Sequence, residues 1–316
     1  MQDRIDIGGF TVCFEEDSSG SLVITEVLGN ESRLTIPDMI DTDKGQMIIG
    51  SIGKKAFMGK SLLRSISLPG TIKELGDWAF AQCSHLNTFI VRGCKDEVVN
   101  IEFGRGVFED CHLLEAVCIG YEQVDARAIM LGAAVWRLPA AYLFMSPDMG
   151  QSSWYESWDR SLRGFLEQRD DEGYTDRVLC GEEDISYDGI GSVDGELLSD
   201  GVDYIRETRK RKCHLCLTRL KWDDCLEEIS RDIFIEYLKN RDIATSGQEA
   251  WIVLKDSFGD NIEYFKLYAD IGALKYEDID AMLEDLGDQH AEAKAFLIKY
   301  KKENQSDDDF FDDLVL

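Results

Sequence analysis

The sequence predicts an α+β chain: a short, β-rich repeat stack with an N-terminal hairpin, followed by an all-helical part. Three observations lead there. First, three segments superimpose: IGKKAFMGKSLLRSISLP (52–69), LGDWAFAQCSHLNTFIVR (75–92) and FGRGVFEDCHLLEAVCIG (103–120), spaced by 23 and then 28 residues. Self-similarity at such a period marks units that bury their apolar faces only by stacking. Second, apolar spacing changes from period 2 to helical spacing beyond Asp125. Third, 44% of the 316 residues are hydrophobic, enough for a packed core despite a net charge of −28.

Charge and composition narrow the function classes. A duplex carries dense negative charge, so a chain of −28 is expected neither to bind nucleic acid nor to sit on anionic membrane. No apolar run approaches a bilayer span, so no transmembrane helix is expected. The opening MQDRIDIGGF has no apolar core of a leader, so no signal peptide is expected. Nine cysteines cannot all pair, and a chain of this length does not need disulfides. Reduced thiols and a cytoplasmic location follow as expectations. The sequons at Asn30 and Asn304 then carry no meaning.

Along the chain, residues 10–29 alternate on both sides of Asp17-Ser18-Ser19-Gly20 and read as a β-hairpin that covers one open end of the stack. A strand ending at Ile36-Pro37, a turn at Lys44-Gly45 and an apolar strand Met47–Ile52 follow. In the repeats, Phe57, Phe80 and Phe108 align. So do Leu63, Leu86 and Leu114; Ile66, Phe89 and Val117; and Leu68, Val91 and Ile119. Each L-x-x-I-x-L stretch reads as a short strand with one buried face. The preceding Ala-Phe element reads as a tight or helical turn with its ring inward. The five-residue excess maps to an edge loop at 92–100.

If Ile66 and Leu68 point inward, their neighbours point outward. The outward rows are then Arg33, Ser65, Thr88 and Ala116, and beside them Thr35, Ser67, Ile90 and Cys118, with Ile90 expected to be exposed. These eight residues form the candidate interaction surface. The strip is small and weakly polar, which suits contact with a protein partner or with the helical part of the same chain.

The residues LTIP…G-x-x-I-x-x-IG-x-x-AF, AF-x-x-C-x-x-L and LP-x-x-I-x-x-L resemble the BspA-like leucine-rich repeats of bacteria, over about residues 10–120. The third unit departs at Val107, where the family prefers Ala, and at Gly120, where the first unit has Pro69. It reads as a degenerate last turn. The resemblance implies a right-handed solenoid that binds other molecules, and it implies no catalysis. Many relatives are secreted or surface proteins.

In the remainder, Ala126–Leu138 has apolar residues at Ile129, Met130, Ala133, Ala134, Val135 and Leu138, a helix broad enough to be buried. Trp154, Trp158, Leu162, Phe165 and Leu166 mark a second helix. Residues 167–203 hold 13 acids against Arg169 and Arg177 and read as a long loop. Helices are expected over Val202–Trp222, Leu226–Asn240, Gly247–Ser257, Asn261–Ile271, Tyr276–Leu286 and Ala291–Lys301. Phrases such as YADIGALKYEDIDAMLEDLGD resemble ankyrin-like helix pairs, without the T-P-L-H signature or the hairpin. The expected organisation is a capped repeat domain at 1–124, a helical connector at 125–166, an acidic loop at 167–203, a helix-pair domain at 204–303 and an acidic tail at 304–316. That tail is expected to be disordered or to dock as a short peptide.

No motif names a reaction. Gly53…Gly59-Lys60-Ser61 has one residue too many for a phosphate loop. Gly189–Gly195 has the wrong spacing for a dinucleotide site, and Asp184, Asp188 and Asp194 miss the calcium-loop spacing. Cys213-His214-Leu215-Cys216 with Cys225 lacks a clear fourth zinc ligand beyond distant Cys180. Cys213 and Cys216 instead share a helical face with Ile205, Arg209 and Leu220, which makes them core residues. The basic run Arg206–Lys212 follows the acidic stretch and is expected to be neutralised within the chain. His85 and His112 lie near Cys83 and Cys111, but those thiols hold repeat core positions, so no nucleophile pair is expected. The reading is a non-catalytic interaction protein with neither cofactor nor metal. The alternative is a ligand-regulated protein or enzyme with a site in the cleft between the repeat and helical domains, the acidic stretch serving as a lid. Thiol titration of denatured, non-reduced protein should report close to nine free thiols. Two or more disulfides in native-source protein would overturn the cytoplasmic expectation.

Overall fold

The alternating segments at the N-terminus become strands that pair into two ladders. The computed structural model describes residues 3–93, 101–120, 123–138, 148–172, 199–240, 246–259 and 261–304. Most of the 92–100 insertion, most of the acidic stretch and nearly all of the tail lie outside the described residues, as do Cys94, Cys180 and the 189–195 glycine stretch. Contacts divide the chain into two units, Met1–Ser161 and Leu162–Leu316.

In the first unit, β1 (Asp3–Ile7), β2 (Phe10–Glu16) and β3 (Leu22–Leu28) form an antiparallel meander. Asp17 closes the β2–β3 turn, its carboxylate accepting from Ser19 N–H at 2.7 Å and Ser21 N–H at 2.9 Å. The Ser19 hydroxyl, which also donates to it at 2.7 Å, and these backbone bonds hold its carboxyl below the usual carboxylate range. β4 (Arg33–Thr35) and β5 (Met39–Thr42) follow, and β5 pairs antiparallel with β6 (Gly45–Ile52). β3 then pairs parallel with β6. The hairpin therefore forms the first rung of the ladder that continues through β8 (Glu74–Leu75) and β10 (Glu102–Phe103). Ile24, Ile52, Leu75 and Phe103 lie opposite one another along it. The second ladder is wholly parallel, in the order β11 (Ala116–Ile119), β9 (Thr88–Val91), β7 (Ser65–Leu68), β4.

Between the ladders the three aligned phenylalanines stack. Phe80 lies 4.6 Å from Phe57 and 5.8 Å from Phe108, ring centre to ring centre, and both pairs are near parallel. Phe89 meets Phe80 and Phe108 edge-on at 5.2 and 4.9 Å. All four are fully buried. Such pairs contribute about 0.5–1.5 kcal/mol each beyond their area.

The backbone is tied in the same column. Phe57 N–H donates to Ala79 O at 2.8 Å, and Phe80 N–H to Val107 O at 2.9 Å. The aligned cysteines complete it: Cys83 donates to Phe57 O at 3.2 Å and Cys111 to Phe80 O at 3.1 Å. The A-F-x-x-C pattern thus has a mechanism, a thiol small enough for the core that satisfies the carbonyl of the preceding repeat.

The chain then forms α1 (Ala126–Arg137), capped by Asp125, whose carboxylate accepts from Arg127 and Ala128 N–H. α1 packs on β11 within the first unit, where the sequence had suggested a connector. α2 (Ser152–Glu167) crosses the boundary between the units.

The second unit is helical: α3 (Ser199–Lys221), α4 (Glu228–Lys239), α5 (Ser246–Phe258), α6 (Ile262–Asp270), a short 3-10 turn at Tyr276–Asp278, α7 (Ile279–Asp285) and α8 (Ala291–Glu303). α4, α5 and α6 pack around α3, and α8 packs on α6 and α7. Residues Lys212–Leu220 are buried on every side, so the single apolar face expected for this helix is too narrow a description. Two of the buried side chains are cations, each hydrogen-bonded to two oxygens. Lys212, 1% exposed, donates to Gln168 O at 2.7 Å and to Asp170 at 2.8 Å. Arg219, fully buried, donates to Trp222 O and, at 2.9 Å, to Asp224 O, closing the C-terminus of α3.

Phe80→Ala removes the middle ring of the column. It should cost about 3–5 kcal/mol in chemical denaturation, much of a typical stability of about 5–15 kcal/mol. A change near zero would show that the column is not the core.

Candidate interaction face

The outward rows assemble as the strand alternation implies. Arg33 lies opposite Ser65, Ser65 opposite Thr88, and Thr88 opposite Ala116; Thr35, Ser67, Ile90 and Cys118 form the next row. Equal repeat positions fall into register because the ladder is parallel and unshifted. Leu34, Ile66, Leu68, Phe89, Val91 and Val117, on the opposite side, are all buried.

The eight residues do not form one open surface. Arg33 and Thr35 are exposed, and Ser65, Ser67 and Thr88 are half-buried. Ala116 and Cys118 are buried at 2% and 0% exposure beneath Ala128 of α1. Ile90, expected in the open, packs against that cluster and is half-buried. The approach depends on Gly132. A Cβ there would lie 2.6 Å from Glu115 O and 2.9 Å from Ala116 N, so helix and strand backbones touch. Burial pushes the Cys118 thiol up to about 11.

Sequence reasoning missed Arg92. It stands two residues beyond Ile90, so the same alternation that placed Thr88 and Ile90 outward would have found it. Its guanidinium donates to Ser67 Oγ at 3.0 Å, to Ile36 O at 2.7 Å and to Asp38 at 2.7 Å. One half-exposed side chain thereby fastens three successive repeats across the outward face.

The other candidates take their places elsewhere. Burial pushes the Cys83 thiol up to about 12 and Cys111 higher still, so both are held protonated in the core. His85 is exposed and its Nδ1 lies 2.6 Å from Ser61 O. His112 meets Trp136 edge-on. Neither histidine is hydrogen-bonded to its neighbouring thiol. Cys213 and Cys216 are buried within α3, and burial raises both thiols.

In the basic run, Arg209 and Lys212 share Asp170, Lys210 pairs with Glu207 and Arg206 with Asp203. Despite burial, Lys212 and Arg209 hold the Asp170 carboxyl below its usual range. A cavity of about 180 Å³ borders this cluster, lined in part by Leu166, Gln168, Tyr237 and Asn240.

Gly132→Ala separates two accounts of α1. In a helix free of the strand the change should stabilise by about 0.5–1 kcal/mol. With the backbones in contact it should instead lower the melting temperature and speed alkylation of Cys118 by iodoacetamide. A raised melting temperature would show that α1 does not rest on β11.

A family model described as a BspA type leucine rich repeat region matches residues 45–127. Solved structures similar to this chain include a leucine rich cell surface protein from Faecalibacterium prausnitzii A2-165, at 25% identity and a TM-score of 0.32, covering 37% of this chain and 30% of that one. A leucine-rich repeat protein from Bacteroides ovatus ATCC 8483 matches at 24% identity and a TM-score of 0.30, covering 36% and 28%. One from Bacteroides capillosus ATCC 29799 matches at 20% and 0.28, covering 37% and 97%. The chain thus spans less than a third of the first two. No curated protein matches it. With its aligned phenylalanines stacked and its repeat positions in parallel register, the N-terminal part of this chain, over residues 45–127, is a BspA-type leucine-rich repeat region.

Proposed function

We propose that the protein is a non-catalytic interaction scaffold whose repeats form a short right-handed solenoid. The open part of the outward strand face, Arg33, Thr35, Ser65, Ser67 and Thr88, receives a protein partner. The observation that carries this reading is the asymmetry of the face. Its β11 end is taken by α1, while Arg33 and Thr35 at the β4 end stay exposed. Small hydroxyl side chains leave that end flat, and Arg92 with Asp38 stiffens it. A flat, pre-ordered polar strip costs little side-chain entropy on docking.

A reducing, cytoplasmic setting belongs to the same proposal. Cys83 and Cys111 serve as thiol donors inside the stack, a role that disulfides would remove. A ligand-regulated protein is the second reading; the cavity that favours it, beside Asp170, lies within the helical unit and not at the junction of the two domains, and the charges there already neutralise one another.

Photo-crosslinking tests the proposal. Benzoylphenylalanine at Thr35 should give a discrete protein adduct in host cells, and the same group at Ser19, in the β2–β3 turn, should not. Arg33→Glu/Ser65→Arg should abolish the adduct with an unchanged melting temperature. Identical adduct patterns from both positions, or none from Thr35, would contradict it.

A further inference from the structure

Away from the strand face, each repeat turns a corner just before its Ala-Phe element. There the equivalent pairs Lys54-Lys55, Asp77-Trp78 and Arg105-Gly106 lie one above another. Lys55 N–H donates to Asp77 O at 3.0 Å and Trp78 N–H to Arg105 O at 2.8 Å. The second residue of each pair has left-handed backbone: Lys55 at φ 61°, Trp78 at 53° and Gly106 at 58°. Glycine takes this conformation readily and a bulky side chain does so at a cost. A tryptophan held there calls for an explanation in what its ring touches.

The ring touches cations. Lys54 Nζ lies 5.3 Å from its centre, Lys55 Nζ 5.6 Å and the Arg105 guanidinium carbon 4.7 Å. Gly106 makes room for it, since a Cβ there would fall 2.8 Å from the indole. All three cations are exposed, and none has an ion-pair partner among the described residues. The nearby acids do not serve them. Asp77 turns its carboxylate to Arg105 backbone N–H at 2.8 Å, and Glu109 lies against Gly106. In a chain of −28, where Arg206, Arg209, Lys210 and Lys212 of the basic run are each ion-paired, three cations without such a partner among the described residues are gathered on one indole. The ring face offsets part of their mutual repulsion. An external anion would offset the rest.

The geometry points to a docking site for a carboxylate-rich segment of a protein partner, formed by Lys54, Lys55, Trp78 and Arg105. Cations this close to one ring centre stand within about 11 Å of one another. Carboxylates on one side of an extended segment recur every ~7 Å, which fits that span. The corner is not a backbone nest for free phosphate, because Lys55, Ala56, Trp78 and Ala79 N–H groups are spent within the stack. Nucleic acid fits less well. Its grip rests on many phosphate contacts along a strand, and the net charge opposes it. This site is separate from the strand face, so the two proposals stand or fall independently.

The test uses the full chain and a fluorescein-labelled (Glu-Ser)4 peptide, read by anisotropy at low salt. Saturable binding is expected, weakened at least tenfold by Lys54→Glu/Lys55→Glu and by Arg105→Gln, at unchanged melting temperature. Lys299→Glu/Lys302→Glu, the same change of charge at exposed positions of α8, should leave it within twofold. No saturable binding, indifference to the charge reversal, or tighter binding of an eight-nucleotide single-stranded DNA would each overturn the inference.

Discussion

The phenylalanine carbonyls of the first two repeats each offer a second lone pair to the repeat that follows. Phe57 O accepts from Lys60 N–H within its own turn and from the Cys83 thiol of the following repeat. Phe80 O does the same with Cys83 N–H and the Cys111 thiol. A buried carbonyl with two lone pairs is thereby used twice, in a core where an unmet polar group is costly. The rings lie in the same column, so polar satisfaction and aromatic stacking impose one register. That register sets the rest of the first unit. It places Ile52, Leu75 and Phe103 opposite one another on one ladder, and Ile66, Phe89 and Val117 on the other.

A short stack must still protect its two ends, and it does so by different means. At the N-terminal end β3 joins β6 in the ladder, and β2 and β1 extend the sheet. At the other, α1 lies on β11, with Gly132 against the Glu115–Ala116 backbone and Ala128 over Ala116 and Cys118. That cap takes the β11 end of both outward rows, Ala116 and Cys118, out of contact with water. The same helix that packs on the last repeat therefore narrows the face proposed for a partner. The helical unit meets a different constraint: a central helix carrying a basic run. Asp170, Gln168 and the carbonyls of Trp222 and Asp224 supply acceptors where Lys212 and Arg219 leave the solvent.

Much of the repeat was legible in the residues because its physics is local and periodic. Aligning Phe57, Phe80 and Phe108 was enough to set both outward rows from β7 to β11, since parallel strands in register repeat the alignment in space. The helices were legible for the same reason: Ala126–Arg137 and Glu228–Lys239 end within two residues of their apolar patterns. What escaped was long-range. The charged alternation of β1 does not distinguish a paired edge strand from a tail. The small residues Ala116 and Cys118 suit a flat exposed strip and a helix seat equally, and only packing decides. Nothing local to Lys212 announces a buried cation, because its partner Asp170 lies 42 residues away. Arg92 was within reach of the alternation argument, but its partners Ile36 and Asp38 belong to an earlier repeat.

Native-state hydrogen exchange on the full chain tests the claim that one column holds the repeats together. The amides of Phe57 and Phe80 each cross to the next repeat, at 2.8 and 2.9 Å. If the column is a single cooperative element, both should exchange only through one shared opening. Their opening free energies should then agree and converge with rising denaturant. Exchange of Phe57 through a separate, low-energy opening while Phe80 stays protected would contradict the account.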